Sequence, residues 1–226
     1  MVAAIATLVL FGGALVVLAA APPNIDTFAT AQATLNAVLG TPASGIATES
    51  SGAGVILGTQ REAHAQVTSG VNNLAVIFNG STMSISTGDN TVGETTLTYD
   101  GTTNSNPLPT SVDPIGLCTS VGVGCPDLTQ SGTTNGFRIV VPSDDTFGDL
   151  TVKVWWGGDN TGNSWCQVTL LNFFRGGFPL GPGREFFVEY PLIRAGTCSG
   201  TTTNLFSQAG AVQFQITGAA LDMTID

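Results

Sequence analysis

Residues 74–85, LAVIFNGSTMSI, indicate the fold of most of this chain. In LAVIF, Leu74, Val76 and Phe78 occupy every second position, and after Asn79-Gly80 the same spacing resumes at Met83 and Ile85. A period of two indicates a strand with one buried face, and Asn-Gly between two such runs is typical of a tight turn. This stretch therefore predicts an antiparallel β-hairpin.

The same period of two recurs through the second half of the chain, with turn residues between the alternating runs. These runs are centred on Leu97, Ile139, Val152, Val188, Phe214 and Met223. About nine or ten short strands separated by turns are typical of an antiparallel sandwich, and long connecting loops favour a jelly-roll or Greek-key order. We therefore expect a mainly β protein whose β-sandwich domain covers residues 73–226.

Charge composition excludes one large class of function. Only 10% of the 226 residues are charged, and 16 Asp and Glu against 6 Lys and Arg give a net charge of −10. A nucleic-acid-binding surface needs clustered Lys and Arg to contact phosphates, so no nucleic-acid partner is expected. Low charge, 29 glycines and abundant Thr, Ser and Asn are typical of an extracellular or cell-surface β-domain.

The four cysteines predict disulfides. An even number of cysteines in an exported chain is typical of a disulfide framework. Cys118 and Cys125 enclose a short loop and can close locally, which leaves Cys166 and Cys198 to pair across the sheet. This is the favoured pairing, and the other two connectivities stay open. A zinc site would need closely spaced Cys-x-x-Cys pairs, which are absent from the sequence.

The first 21 residues, MVAAIATLVLFGGALVVLAAA, are apolar except for one threonine and carry no charge. A helix of about twenty such residues is about 30 Å long, which matches the hydrocarbon core of a bilayer. The proline pair that follows interrupts the helix, and Asn24 or Asp26 is suited to cap a second one. We expect a long hydrophobic N-terminal helix over residues 1–40, broken at the prolines, and a linker over residues 41–72.

Three interpretations of the apolar segment compete. A cleaved secretory signal normally begins with basic residues, whereas the first basic residue here is Arg61. A plain membrane anchor is long enough but lacks the flanking basic residues that set topology. The third interpretation is an assembly segment of a filament subunit, and it rests on a family resemblance.

Residues 18–35, LAAAPPNIDTFATAQATL, resemble the early helix of type IV pilins. Members of that family begin with about twenty apolar residues, often with a glycine in mid-segment, as Gly12 and Gly13 here, and a proline just past the end. The chain departs from many bacterial pilins in having Ile5 and no early glutamate. Residues 135–170 loosely resemble the jelly-roll domains of phage structural proteins.

The pilin resemblance implies a structural subunit of an extracellular filament. Such a subunit is inserted in the membrane before assembly, packs its apolar helix with copies of itself in a helical polymer, and leaves its β-domain outside. The residues implied in the assembly helix are Leu8, Leu10, Phe11, Gly12, Gly13, Leu15, Leu18, Pro22 and Pro23. The alternatives are a membrane-associated viral capsid or spike protein and a membrane-anchored module that binds a surface glycan or receptor.

The sequence contains no recognisable catalytic constellation. His64 is the only histidine, and no serine lies in a nucleophile-elbow motif. We therefore expect no enzyme activity and no cofactor. We expect the His64 imidazole to be solvated. Asp144, Asp145, Asp149 and Asp159 fit turns better than a calcium loop, because no EF-hand pattern frames them. No metal site is expected.

Three tryptophans carry the alternative of a carbohydrate-binding module. Trp155, Trp156 and Trp165 are a candidate platform for stacking sugar rings. Strict alternation points Trp155 and Trp156 to opposite faces of one strand, so only one of them belongs to the core by pattern.

Overall fold

The computed structural model of the protein describes residues 24–49, 55–141, 143–144, 148–174 and 184–226. Within these residues the chain is mainly β, with fourteen strands, one 3-10 turn at Leu57–Thr59 and one short helix, α1, at Tyr190–Ala195. The strands are β1 Leu35–Ala37, β2 Ala43–Thr48, β3 Gln60–Ser69, β4 Leu74–Phe78, β5 Met83–Thr87, β6 Val92–Tyr99, β7 Gly136–Val141, β8 Ser143–Asp144, β9 Gly148–Trp156, β10 Trp165–Phe174, β11 Arg184–Glu189, β12 Thr197–Ser199, β13 Ala209–Ala219 and β14 Asp222–Ile225.

The strands form two layers. One layer is a seven-stranded sheet in the order β12-β10-β9-β13-β6-β3-β2, and the other contains a five-stranded sheet in the order β1-β4-β5-β14-β8. A separate two-stranded sheet of β11 and β7 extends the second layer, because the amide of Asp226 donates to the carbonyl of Val140 at 2.8 Å. The pairings described are antiparallel, so the β-rich part of the predicted fold is confirmed.

The core lies between the layers and is built from the apolar positions of each alternating strand. In β9, Leu150, Val152 and Val154 are buried, and Phe214 of β13 packs beside them. Each of these side chains loses most of its contact with water, and burial of this kind is worth roughly 1.5–3 kcal/mol for each large aliphatic residue. The local period of two therefore predicted the buried face correctly.

The hairpin predicted at residues 74–85 is confirmed and extends to Thr87, although its turn differs from the expectation. Phe78 pairs with Met83, and the amide of Asn79 donates to the carbonyl of Thr82 at 2.8 Å. The connection is thus a four-residue loop, in which Gly80 has a φ of 78° and Asn79 does not have a positive φ. A type I′ turn with Asn79 and Gly80 at its centre would have required positive φ at both residues.

The expected second helix is wrong, and so is the long helical segment that the fold prediction assigned to residues 24–40. Asp26 forms a β-bridge with Ile56, and Leu35 in β1 pairs with Val76 in β4. The edge of β4 offers paired hydrogen bonds and the core receives Phe28 and Leu35, so tertiary packing overrides the apparent helical spacing.

None of the described residues belongs to a helix with the length and apolar character needed to cross a membrane. The transmembrane helix expected from the sequence is therefore not borne out in this part of the chain. The expected assembly residues lie outside the described residues. They are Leu8, Leu10, Phe11, Gly12, Gly13, Leu15, Leu18, Pro22 and Pro23.

The predicted linker over residues 41–72 is also corrected, because it contains β2 and β3. Strand β3 pairs with β2 on one side and with β6 on the other, and its first six residues are buried. The sequence of those six residues, QREAHA, has little apolar character. Burial here depends on polar partners from elsewhere in the chain, which no local pattern reveals.

Candidate functional site

The outer face of the seven-stranded sheet carries a continuous polar row. Pairing places Glu62 opposite Thr98, Thr98 opposite Gln213, and Gln213 opposite Lys153, across β3, β6, β13 and β9. Side chains of directly paired residues lie on the same face of a sheet, with Cβ atoms about 5 Å apart. The next row along β9 and β10 is aromatic, because Trp155 pairs with Trp165.

A lysine lies between these two indole rings. The Lys153 Nζ atom is 4.5 Å from the Trp155 ring centroid and 4.1 Å from that of Trp165. An ammonium at this distance is attracted by the negative face of an indole. Burial lowers the pKa of the half-buried Lys153. The three side chains thus form a rigid positive platform on the sheet.

The loop of residues 101–116 turns this platform into a pocket. The cavity has a volume of about 390 Å³, and its walls are Pro109, Thr110, Val112, Lys153, Trp155, Thr161 and Gly162. The amide group of Gln213 donates to the carbonyl of Pro109 at 3.1 Å and to the hydroxyl of Thr98 at 3.0 Å, which holds the loop on the sheet. Aromatic walls with a few polar groups are common in sites for small ligands.

Two disulfides stabilise the surroundings of the pocket. Cys118–Cys125 closes the loop that follows residue 116, and Cys166–Cys198 joins the paired strands β10 and β12. This is the pairing favoured by the spacing. A Cβ atom added to Gly157 would lie 2.2 Å from the Cys118 sulfur, so only glycine permits this close approach of the turn after β9.

Two buried carboxyl groups lie under the same loop. Glu62 is 1% exposed and Asp100 is 0% exposed. Burial, followed by the charge of Asp100, raises the pKa of Glu62 to about 8. Burial also raises the pKa of Asp100 to about 6. Both groups are therefore far less acidic than their counterparts in water.

The opposite face of β3 carries a polar cluster around Arg61, in which the guanidinium charge is paired with a carboxylate. Its Nη1 atom donates to Asp26 Oδ2 at 2.7 Å, its Nε atom to Gln32 Oε1 at 2.8 Å, and its Nη2 atom to the carbonyl of Thr30 at 3.1 Å. The Tyr99 hydroxyl donates to the same Asp26 oxygen at 3.0 Å. This Arg61 cluster attaches residues 26–32 to the sandwich. Sequence analysis missed it, because its members are far apart in the chain.

His64 is buried, not solvated as expected. Its Nδ1 atom lies 2.7 Å from the Ser44 hydroxyl, and burial lowers the pKa of the imidazole. Ser44 lies on the edge strand β2, and neither residue lines either of the two described cavities. This pair therefore has no adjoining space for a substrate among the described residues.

Of the aspartates that were weighed as calcium ligands, Asp159 stabilises a turn, whereas Asp149 lies in β9 and bonds to the neighbouring strand β10. Asp159 Oδ1 accepts from the backbone amide of Thr161 at 2.9 Å and from its hydroxyl, and hydrogen bonds of this kind lower the pKa of Asp159 to about 2. Asp149 Oδ1 accepts from the amide of Asn172 at 2.7 Å. Asp145 and the side chain of Asp144 lie outside the described residues.

A second cavity, of about 340 Å³, lies between the two layers. Apolar side chains such as Phe137, Leu150 and Phe214 line it, together with residues 24–28. It therefore adjoins the point at which the apolar N-terminal sequence joins the folded body.

No group of three or more His, Cys, Asp and Glu side chains is placed to hold a metal ion in the part of the chain that the structure describes. Comparison with protein-family models, curated proteins and solved structures finds no match for this chain. Function therefore has to be argued from the chain's own residues.

Proposed function

We propose that the chain is a structural subunit of an extracellular filament. Its apolar N-terminal sequence, residues 2–21, makes the contacts between copies, and the β-sandwich forms the outer surface. Two disulfides and a surface with few charges support a location outside the cell, where disulfides persist.

The Arg61 cluster is the observation that carries this proposal. The apolar sequence ends at Ala21, and Asp26 is already fixed in the buried ion pair with Arg61. Five residues span at most about 17 Å, so only a short linker connects the apolar segment to the sandwich. A subunit that transmits force from its outer domain to its assembly segment needs such a connection, whereas a long linker would allow the outer domain to swing.

Electron microscopy of material sheared from the native cell surface tests the proposal. We expect filaments whose subunit is this chain, and no polymer after deletion of residues 2–21. The deleted protein should still fold, because the sandwich contributes its own core. Closed particles would favour the capsid alternative, and polymers that persist after the deletion would exclude the proposed assembly contact.

A matched pair of variants tests the attachment of this short linker to the sandwich through Asp26. Asp26→Asn weakens the ion pair next to the apolar segment, whereas Asp89→Asn removes the charge of an exposed aspartate in a turn. We expect shorter or more easily sheared filaments for Asp26→Asn and normal filaments for Asp89→Asn. Equal filament lengths for the two variants would contradict the role of the cluster.

The cavity of about 390 Å³ beside Lys153 and Trp155, here called the tryptophan–lysine pocket, favours a second candidate, a surface module that binds carbohydrate. Trp155 forms one wall of the cavity, Trp165 pairs with it on the neighbouring strand, and Lys153 adds a hydrogen-bond donor beside both rings. The test is a glycan-binding screen with the wild type and with Trp165→Ala. A monomeric protein that binds a glycan, and loses it in the variant, would establish this candidate in place of the filament.

A further inference from the structure

Glu62 and Asp100 face the same buried space. Glu62 pairs with Thr98, and Asp100 follows Thr98 by two residues, which places all three side chains on the outer face of the sheet. Diagonal neighbours of this kind on adjacent strands are about 7 Å apart or less at their Cβ atoms. The loop of residues 101–116 covers them, since the amide of Asp113 donates to Asp100 Oδ2 at 2.7 Å.

Each carboxyl group uses one oxygen and leaves the other without a partner. Gln60 Nε2 donates to Glu62 Oε1 at 3.3 Å, but Glu62 Oε2 is buried and has no hydrogen-bond partner among the described residues. Asp100 Oδ1 is in the same situation. Buried polar atoms are nearly always satisfied, so two such oxygens in one space point to a missing positive partner.

No described basic side chain supplies that charge. Arg61 is the neighbour of Glu62 in sequence, but it points to the opposite face and is paired with Asp26. Two strands, β6 and β13, separate Lys153 from Glu62, and the Lys153 ammonium lies against two indole rings. The covering loop contributes a third carboxylate, Asp113, whose charge also acts on Asp100. Two buried carboxylates without a counter-charge are strongly unfavourable.

The neighbouring groups are of the kind that a hard divalent cation takes. Calcium binds six to eight oxygens from carboxylates, amide or backbone carbonyls, hydroxyls and water. On the sheet, Thr98, which carries a hydroxyl, pairs with Glu62. In the covering loop, the Ser105 hydroxyl lies 3.5 Å from Gln60 Nε2, the atom that also donates to Glu62. Neutral oxygens are therefore present on both the sheet and the loop.

We propose that Glu62 and Asp100 bind a calcium ion between the sheet and the loop of residues 101–116. The ion supplies the charge that the two carboxylates lack and joins the loop to β3 and β6. Because Pro109, Thr110 and Val112 of this loop form one wall of the tryptophan–lysine pocket, calcium also fixes the shape of that pocket. This site is independent of the filament proposal.

The test is thermal unfolding of the full chain at pH 7.5, first in EDTA and then with added calcium chloride. We expect the midpoint temperature to rise with calcium and to reach about 5 °C above the EDTA value at one hundred times the Kd. Magnesium at the same concentration should have a smaller effect, because it demands tighter octahedral geometry. A midpoint that calcium leaves unchanged would overturn the proposal.

Variants assign the effect to the two carboxyl groups. Glu62→Gln and Asp100→Asn should each weaken the apparent calcium affinity, measured from the calcium dependence of the midpoint temperature, at least tenfold. Asp89→Asn should leave that affinity unchanged. A shift that survives in the double variant would also overturn the site. Should a variant fail to fold, metal analysis of the dialysed wild type decides the question, with one calcium per chain expected and none contradicting the proposal.

Discussion

Two adjacent residues of β3 place polar side chains on opposite faces of one sheet, with opposite outcomes. Arg61 faces the interior and finds a carboxylate, an amide oxygen and a carbonyl. Glu62 faces outward beneath a loop, and one of its oxygens has no partner among the described residues. The Arg61 cluster balances its charges and fixes the chain around it, whereas the carboxyl groups of Glu62 and Asp100 have no counter-charge among the described residues, so a proton or a cation is needed there.

The largest expected effect comes from breaking the ion pair of the Arg61 cluster. Arg61→Ala leaves the Asp26 carboxylate buried without its counter-charge, and such a change typically costs about 3–5 kcal/mol. Urea unfolding of the variant and the wild type measures this loss of stability. A loss below about 1 kcal/mol would show that residues 26–32 do not depend on Arg61.

The buried carboxyl group of Glu62 predicts that the free energy of unfolding, measured in EDTA, falls as the pH rises. The folded-state pKa of Glu62 is about 8, against 4.5 for an ordinary glutamate, so the folded protein holds a proton that the unfolded chain releases. The stabilisation is complete below about pH 4.5 and is lost as the pH rises through about 8. We expect a decrease of roughly 2–4 kcal/mol in the free energy of unfolding between pH 5 and pH 9.

Two controls separate Glu62 from other groups in this experiment. Glu62→Gln should flatten the decrease, because the amide does not ionise, and Asp89→Asn should leave it unchanged. Added calcium should reduce the decrease in the wild type, since the bound ion compensates the ionised carboxylates. A profile that is the same for wild type and Glu62→Gln would assign the effect elsewhere.

The smallest effect is expected for the basic residue on the outer face. Lys153→Met removes the attraction to the two indole rings, which at a half-exposed site is worth about 0.5–1 kcal/mol. Because Lys153 lies between Trp155 and Trp165 and not beside Glu62, the pH profile should keep its shape. Equilibrium unfolding at pH 5 and pH 9 measures both quantities, and a changed slope would show that Lys153 compensates the carboxylates.

The sequence predicted the elements whose signal is local. The hairpin at residues 74–87 and the buried face of β9 follow from a period of two, which depends only on neighbouring residues. The opposite orientation of Trp155 and Trp156 follows from the same rule, with Trp155 facing Trp165 and Trp156 packed against the core. Such patterns survive in the fold because burial on one face of a strand requires them.

The candidate sites depended on residues that are distant in sequence. Asp26 and Arg61 are 35 residues apart, and Glu62 and Asp100 meet only because β3 pairs with β6. The polar sequence QREAHA predicted neither a buried strand nor either cluster. No single segment contains both partners, so the sequence analysis had no signal from which to find them.

By itself the sequence determined the β-rich class, the exposed and buried faces of the alternating strands, and the low charge of the chain. Only the tertiary structure decided that residues 24–40 are not helical and that Leu35–Ala37 form a strand, because pairing with the edge of β4 and burial of Leu35 in the core stabilise that strand. It also decided which polar side chains of β3 are satisfied. Local propensities amount to tenths of a kcal/mol per residue, whereas burying a side chain or a charge is worth several kcal/mol, so packing determines the outcome wherever the two disagree.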